Sequence, residues 1–277
     1  MAGIFLAVFL GWAGGYRFYK KQKGLGFLYL LTFGLFGIGW LVDVIVAIIT
    51  YLQSKQSTKE PEPMQIAPSD DAPSYMRLNK KLYTEPKARY FPNIANQKHY
   101  VVYDFETTGV DPHSCEIIEI GALKVADGKI VDRFQSLVKP FYPIPEGASK
   151  VNHITNEMVK NAPTAYDIIP SFVDFIGDSK LIGYNIARFD HIILRRYVMD
   201  ICGKSLDNYI TDVYSLCRKK LNLDKYTLSD VASYYNIDTS NAHRSIGDCE
   251  TTLECFKHIQ ELYKQELEEK KQAKNEG

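Results

Sequence analysis

Asp104 and Glu106 stand one residue apart at the end of the apolar run VVYDFETTG (101–109). On a strand, side chains at i and i+2 project to the same side, so this spacing places two carboxylates on one face. Two such groups repel each other unless a cation sits between them. Hard oxygen donors so spaced suit Mg²⁺ or Mn²⁺, with phosphate and water completing the shell. Taken alone, the pair also fits a strand that ends in a charged turn, since Gly109 and Pro112 follow.

Two clusters further along bear on that choice. In LIGYNIARFDHIILRR (181–196) a short apolar run ends at Asn185, and a helical period then carries Phe189, Ile192, Ile193 and Tyr197 toward a core. Asp190 falls in the first turn of that helix, where the helix dipole favours any carboxylate. In NAHRSIGDCETT (241–252), His243 precedes Asp248 by five residues, at the entry to an amphipathic run through Ile246, Leu253, Phe256, Ile259 and Leu262. By itself His243 reads as a surface or capping histidine.

The order DFE, N-x-x-x-F-D, H-x-x-x-x-D resembles the DEDDh group of 3′–5′ exonucleases, the DnaQ-like proofreading superfamily. The runs EIIEIGALKVADGKIVDRFQSLVKP (116–140) and ITNEMVKNAP (154–163) extend the resemblance to the connecting strands and helix of the proofreading exonuclease of bacterial replicative polymerases. It spans roughly residues 98–262. One departure is Tyr184, which precedes Asn185 where relatives often carry histidine.

The resemblance implies metal-assisted hydrolysis of the terminal phosphodiester at a single-stranded 3′ end, releasing 5′-mononucleotides. Two divalent ions, ~3.5–4 Å apart, would stabilise the attacking and leaving oxygens. Asp104 would bridge both ions, Glu106 and Asp248 would complete the first, and Asp190 would support the site directly or through water. His243 would act as general base, a task its ordinary pKa of ~6.5 suits. Thr107, Thr108, Gly109 and Asn185 are expected around the terminal nucleotide. Phe189 fits either a base stack or the core. DNA is the favoured substrate, with short RNA as the alternative, because no residue reveals contacts to a 2′-hydroxyl. Replication or repair proteins are the expected protein partners, and no small-molecule organic cofactor is expected. A non-catalytic, membrane-tethered nucleic-acid-binding module is the rival from another class.

These residues need elements to hold them. Strands are expected at 99–105, 116–125 and 129–138, helices near 155–160 and 165–177, and a strand at 180–184. A helix at 187–200, a short strand near 208–212 and helices at 213–222, 227–235 and 245–266 follow. Three strands joined by short turns, then strands alternating with helices, predict an α/β mixed sheet flanked by helices. The resemblance implies the ribonuclease-H-like version, with the DFE strand central.

Charge is uneven. The chain holds 33 residues of each sign; 12 basic and six acidic ones precede residue 99, which leaves 21 against 27 beyond it. An acidic nuclease domain is consistent with bound cations that reverse the local sign, and it argues against a broad basic surface gripping long duplex. Cys115, Cys202, Cys217, Cys249 and Cys255 are odd in number and show no zinc spacing, which predicts free, mostly buried thiols in a reducing compartment.

Residues 1–53 differ from the rest. MAGIFLAVFLGWAGGY and GLGFLYLLTFGLFGIGWLV (24–42) carry no charge, and a bilayer core of ~30 Å needs about 20 helical residues. A membrane-anchoring helical hairpin is therefore expected over 1–53, embedding the chain in the cell membrane. The segment also resembles a two-helix membrane domain family with an RFY-like loop signature, here Arg17, Phe18 and Tyr19, and an acidic position matched by Asp43. A Pro-rich polar tether is expected over 54–97, becoming ordered near Tyr83–Pro92. The exonuclease domain is expected over 98–265, with a charged, fraying tail at 266–277. Arg17, Lys20, Lys21 and Lys23 between the apolar segments favour a cytoplasmic loop, which for a full hairpin sets the nuclease outside. Free thiols and intracellular nucleic acid favour the cytoplasmic face, with one segment re-entrant, and that face is the expectation adopted.

Overall fold

The computed structural model describes residues 88–275. The expected membrane hairpin (1–53) and most of the tether lie outside the described residues. Among the described residues, no helix is long and apolar enough to cross a membrane.

Three strands come first: β1 (His99–Thr107), β2 (Ile117–Ala126) and β3 (Lys129–Leu137). β1 pairs antiparallel with β2, and β2 with β3. The β2–β3 turn is Asp127-Gly128, both at positive φ (48° and 76°). A tight two-residue hairpin needs left-handed backbone at both positions, which Asp and Gly tolerate best. Then follow α1 (Glu146–Asn152), α2 (Asn156–Val159), α3 (Ala165–Ile176), β4 (Lys180–Gly183), a 3₁₀ turn (Ile186–Arg188), α4 (Asp190–Cys202), β5 (Ile210–Asp212), α5 (Val213–Lys220), α6 (Leu228–Tyr234) and α7 (Ser245–Asn275). β4 pairs parallel with β1, and β5 with β4, giving the order β3-β2-β1-β4-β5. The DFE strand is central, in a mixed sheet.

Alternation along β1 sorts its side chains into two cores. Val101, Tyr103 and Phe105 join Ile169, Phe172 and Val173 of α3 and Ile193, Leu194 and Tyr197 of α4. Tyr100 and Val102 join Val213 and Leu216 of α5, Val231 of α6 and Leu253, Phe256 and Ile259 of α7. Each large side chain so buried contributes about 1.5–3 kcal/mol relative to exposure. The central strand is therefore held on both faces. Among the described residues all five cysteines are free, and four are buried.

Two stretches, α1 and the tail, differ from the sequence expectation. α1 was not expected; it is seven residues long with only Asn152 buried, so it leaves no apolar period to read. Packing begins within the stretch expected to become ordered near Tyr83–Pro92, where Phe91 N donates to Ile210 O (3.0 Å) and Ile210 N donates to Arg89 O (2.7 Å). These bonds cover the otherwise open edge of β5. The expected tail continues α7 to Asn275, with Glu266 paired to Lys220 of α5.

Candidate metal centre

Asp104 and Glu106 lie on the α7 side of β1, in line with Tyr100 and Val102. Asp248 sits in the first turn of α7. One carboxylate oxygen from each of Asp104, Glu106 and Asp248 lies within 4.8 Å of the others. The helix can come this close because Gly121 stands opposite Asp104 on β2. A Cβ at Gly121 would lie 2.6 Å from the carbonyl carbon and Oγ of Ser245, the first residue of α7.

The cluster is electrostatically uncomfortable. Burial raises the Asp104 carboxyl well above the usual range, and the charges of Asp190, Asp248 and Glu106 add to the rise. Glu106 is pushed up to about 8, by burial first and then by Asp248, Glu119 and Asp190, with Arg244 opposing. Burial also raises Asp248, although the charge of His243 and its backbone N–H pull the other way. Carboxylates concentrated in a low-dielectric site either keep protons or take a cation. Hard oxygen donors so arranged fit a divalent ion such as Mg²⁺ or Mn²⁺.

Asp190 reaches the same end of β1 from α4. β4 pairs with β1 only as far as Val102, and beyond it Phe105 N donates to Asp190 Oδ1 at 3.2 Å. Burial raises the Asp190 carboxyl to about 7. Its neighbourhood is fixed by Asp212 at the end of β5, whose carboxylate accepts from Ala187 N (3.1 Å) and Ser215 N (3.2 Å). Asn185 turns the chain there at φ 59°, a left-handed position that Asn tolerates well.

The family model for RNase_T, Exonuclease, matches residues 101–256, more than half of the chain. The chain belongs to the RNase_T exonuclease family. A second model, the TM2 domain, matches residues 1–45. DNA polymerase III subunit epsilon of Aquifex aeolicus is 34% identical over 166 residues, 59% of this chain and 82% of that protein. DNA polymerase III PolC-type of Clostridium perfringens is 38% identical over 170 residues, 61% of this chain. The chain spans only 12% of the length of that PolC-type relative. A structure of exonuclease X in complex with 5′ overhanging duplex DNA matches with a TM-score of 0.50 at 26% identity, covering 59% of this chain and 92% of that one. The mixed sheet with flanking helices is thus the ribonuclease-H-like fold of exonucleases.

Within this RNase_T domain the other expected site residues are placed as follows. His243 is exposed in the loop before α7, at φ 64°, a left-handed conformation costing roughly 1 kcal/mol or more for a residue with a Cβ. Its backbone N–H donates to Asp248. Thr107 Oγ1 donates to Gly109 O (2.7 Å), and Thr108 Oγ1 accepts from Glu116 N (2.9 Å), so both hydroxyls already shape the loop after β1. Phe189 is half-buried and packs against the α3–α4 core. Asn185 lies in the Asp212-held turn, and Gly109 in the Thr107–Thr108 loop.

Two residues that shape the candidate centre escaped the sequence reading. Glu119 on β2, directly across from Glu106, is fully buried. Its Oε2 accepts from Arg244 Nε and Ser245 N (both 3.1 Å), and its Oε1 accepts from Arg244 Nη2 (2.5 Å) and Gln135 Nε2 (3.2 Å). Burial opposes its ionisation, yet these donors outweigh that and hold its carboxyl below the ordinary value. Asp212 is the other. Its only local signal was a capping position ahead of α5.

Proposed function

We propose that the chain is a membrane-anchored, divalent-metal-dependent 3′–5′ exonuclease of the DEDDh type, removing 5′-mononucleotides from single-stranded DNA ends. The observation that carries this reading is the convergence of Asp104, Glu106 and Asp248 within 4.8 Å. Family membership and the exonuclease X likeness support it. So do the DNA polymerase III relatives, which also favour DNA over RNA and replication proteins as partners.

Asp104, Glu106 and Asp248 would hold two Mg²⁺ or Mn²⁺ ions, with Asp190 supporting from α4. Bound ions supply charge neutralisation at the scissile phosphate. His243 Nε2 or Nδ1 takes the proton of the attacking water; its exposure leaves the ring accessible to a bound strand end. Asp248 holds the His243 backbone and so sets where the ring starts. Thr107, Thr108, Gly109 and Asn185 would shape the seat of the terminal nucleotide, and Phe189 would stack there only if it leaves the α3–α4 core it packs against.

The test is Mg²⁺-dependent shortening of a 5′-labelled single strand. Asp104→Ala and Asp248→Ala should abolish it. His243→Ala should lower turnover by roughly 10²–10⁴-fold while Mn²⁺ binding persists. Wild-type rates in either aspartate variant would remove the metal assignment, and an unaltered pH–rate profile in the histidine variant would remove the base.

Anchoring rests on the uncharged segments within 1–42 and on the TM2 match. The nuclease is placed on the cytoplasmic face, with one apolar segment re-entrant. Protease should then spare the C-terminal domain in intact cells and degrade it in inverted vesicles; the reverse pattern places the enzyme outside.

A further inference from the structure

β1, β4 and β5 run parallel, so the residues that follow β4 and β5 emerge at the edge of the sheet where the acidic cluster lies. Tyr184 follows β4 directly, and Tyr214 is the second residue of α5. Their rings meet edge to face, with centroids 6.0 Å apart. The guanidinium of Arg218, one turn along α5, lies 5.9 Å from the ring centres of both Tyr214 and Tyr226. Tyr184 Oη donates to Tyr226 O at 2.6 Å, which ties the set together. Tyr184 and Tyr226 back onto the α5–α7 core, whereas Tyr214 is half-buried and stands apart from that cluster.

The charges nearby separate into two kinds. Lys220 is paired with Glu266 and lies over the ring of Tyr263. Arg188, Arg218 and Lys219 are exposed and make no ion pair among the described residues. Arg188 is two residues before Asp190, in the turn that Asp212 locks to the start of α5. In a domain with excess acid, cations that make no ion pair among the described residues, placed beside a half-open aromatic set, favour a polyanion there. Cations that track phosphates, interleaved with rings on which bases stack, make up a surface for single strands.

We propose that the strip from Arg188 through Tyr184 and Tyr214 to Arg218 and Lys219 is the track for the single-stranded DNA behind the 3′ end. This deepens, and rests on, the exonuclease reading above. The acidic cluster takes the terminal phosphodiester, and the strip holds the next nucleotides by phosphate pairing and by stacking on Tyr214. A dinucleotide is too short to use it, so the strip makes affinity depend on strand length.

The experiment compares labelled oligothymidylate of about 12 nucleotides, a length within the range a single-strand groove covers, with dithymidylate. The wild type should show a lower KM for the long strand, and that advantage should shrink with salt at a slope of about 0.7 per phosphate engaged. The double variant Arg218→Glu/Lys219→Glu should raise the long-strand KM roughly tenfold relative to the dithymidylate KM and flatten the salt slope by about 1.4, two contacts' worth. Tyr214→Ala should raise the same ratio with little change in salt slope, and Tyr214→Phe should restore it. Unchanged KM ratios and salt slopes in the charge variant overturn the track. If the wild type cleaves neither oligonucleotide, the exonuclease reading fails, and fluorescence anisotropy of the long strand still decides this one: equal binding by wild type and charge variant overturns it, and lost binding supports it.

Discussion

Glu119 and Glu106 face each other across β1 and β2, yet the two carboxylates behave oppositely. Glu119 meets Arg244, Gln135 and the Ser245 N–H and stays ionised, whereas Glu106 faces other acids and is pushed up to about 8. The difference sets which one is free to bind a cation. Glu119→Gln keeps the shape but removes the charge that holds Arg244, leaving the guanidinium to pair with Glu106 in its place. Mn²⁺ affinity, read by calorimetry, should fall about 10–100-fold, the usual cost of disturbing a residue that orients metal ligands. Affinity within twofold of wild type would show that Arg244 stays put without it. Asp104 and Glu106 were legible in the sequence because the i, i+2 rule is local. Glu119 was not, because its partner Arg244 is 125 residues away and a glutamate in the run EIIEIG reads as an ordinary strand residue.

At the scale of elements, the approach of α7 to the sheet decides whether Asp248 reaches β1. The amphipathic period from Ile246 to Leu262 revealed the helix, and the apolar runs revealed the strands. Neither pattern encodes how near the two come. That information resides in Gly121, where an added Cβ would lie 2.6 Å from Ser245 and 2.7 Å from the Ile246 nitrogen. Backbone atoms cannot rotate away, so Gly121→Ala must displace the helix start. Overpacking of this kind costs about 1–3 kcal/mol, to be read as a lower midpoint of thermal unfolding. It should also cost metal affinity, since Asp248 moves with the helix. Gly109→Ala is the comparison: its nearest neighbour would be Cys115 Cβ at 3.8 Å, an ordinary contact, so its unfolding midpoint should hardly change. Equal midpoints for the two variants would show that α7 tilts freely at its start. α1 marks the opposite limit of legibility, because a seven-residue helix that buries only Asn152 carries no period.

For the whole domain, the raised carboxyls tie stability to pH and to cations. A carboxyl whose folded pKa exceeds its unfolded one holds its proton more tightly when folded. Its contribution is complete below the unfolded value and is lost as pH rises through the folded one. Glu106 goes from 4.5 to about 8 and Asp190 from 3.8 to about 7, and burial raises Asp104 and Asp248 in the same direction. Glu119 has the opposite sign, but its lowered carboxyl is ionised in both states above about pH 5, so it adds no slope there. Burial holds His191 down to about 4, which opposes this slope below its ordinary value of 6.5. The metal-free protein should therefore lose thermal stability between about pH 6.5 and about pH 8, the window set by Glu106 and Asp190. Mg²⁺ competes with those protons and neutralises the same cluster, so it should stabilise more at the upper end of the window than at the lower. Differential scanning fluorimetry at both ends, with EDTA and with Mg²⁺, reads the two effects. A midpoint in EDTA that rises with pH, or a Mg²⁺ increment that is larger in acid, would mean that the acids at the end of β1 do not share one site.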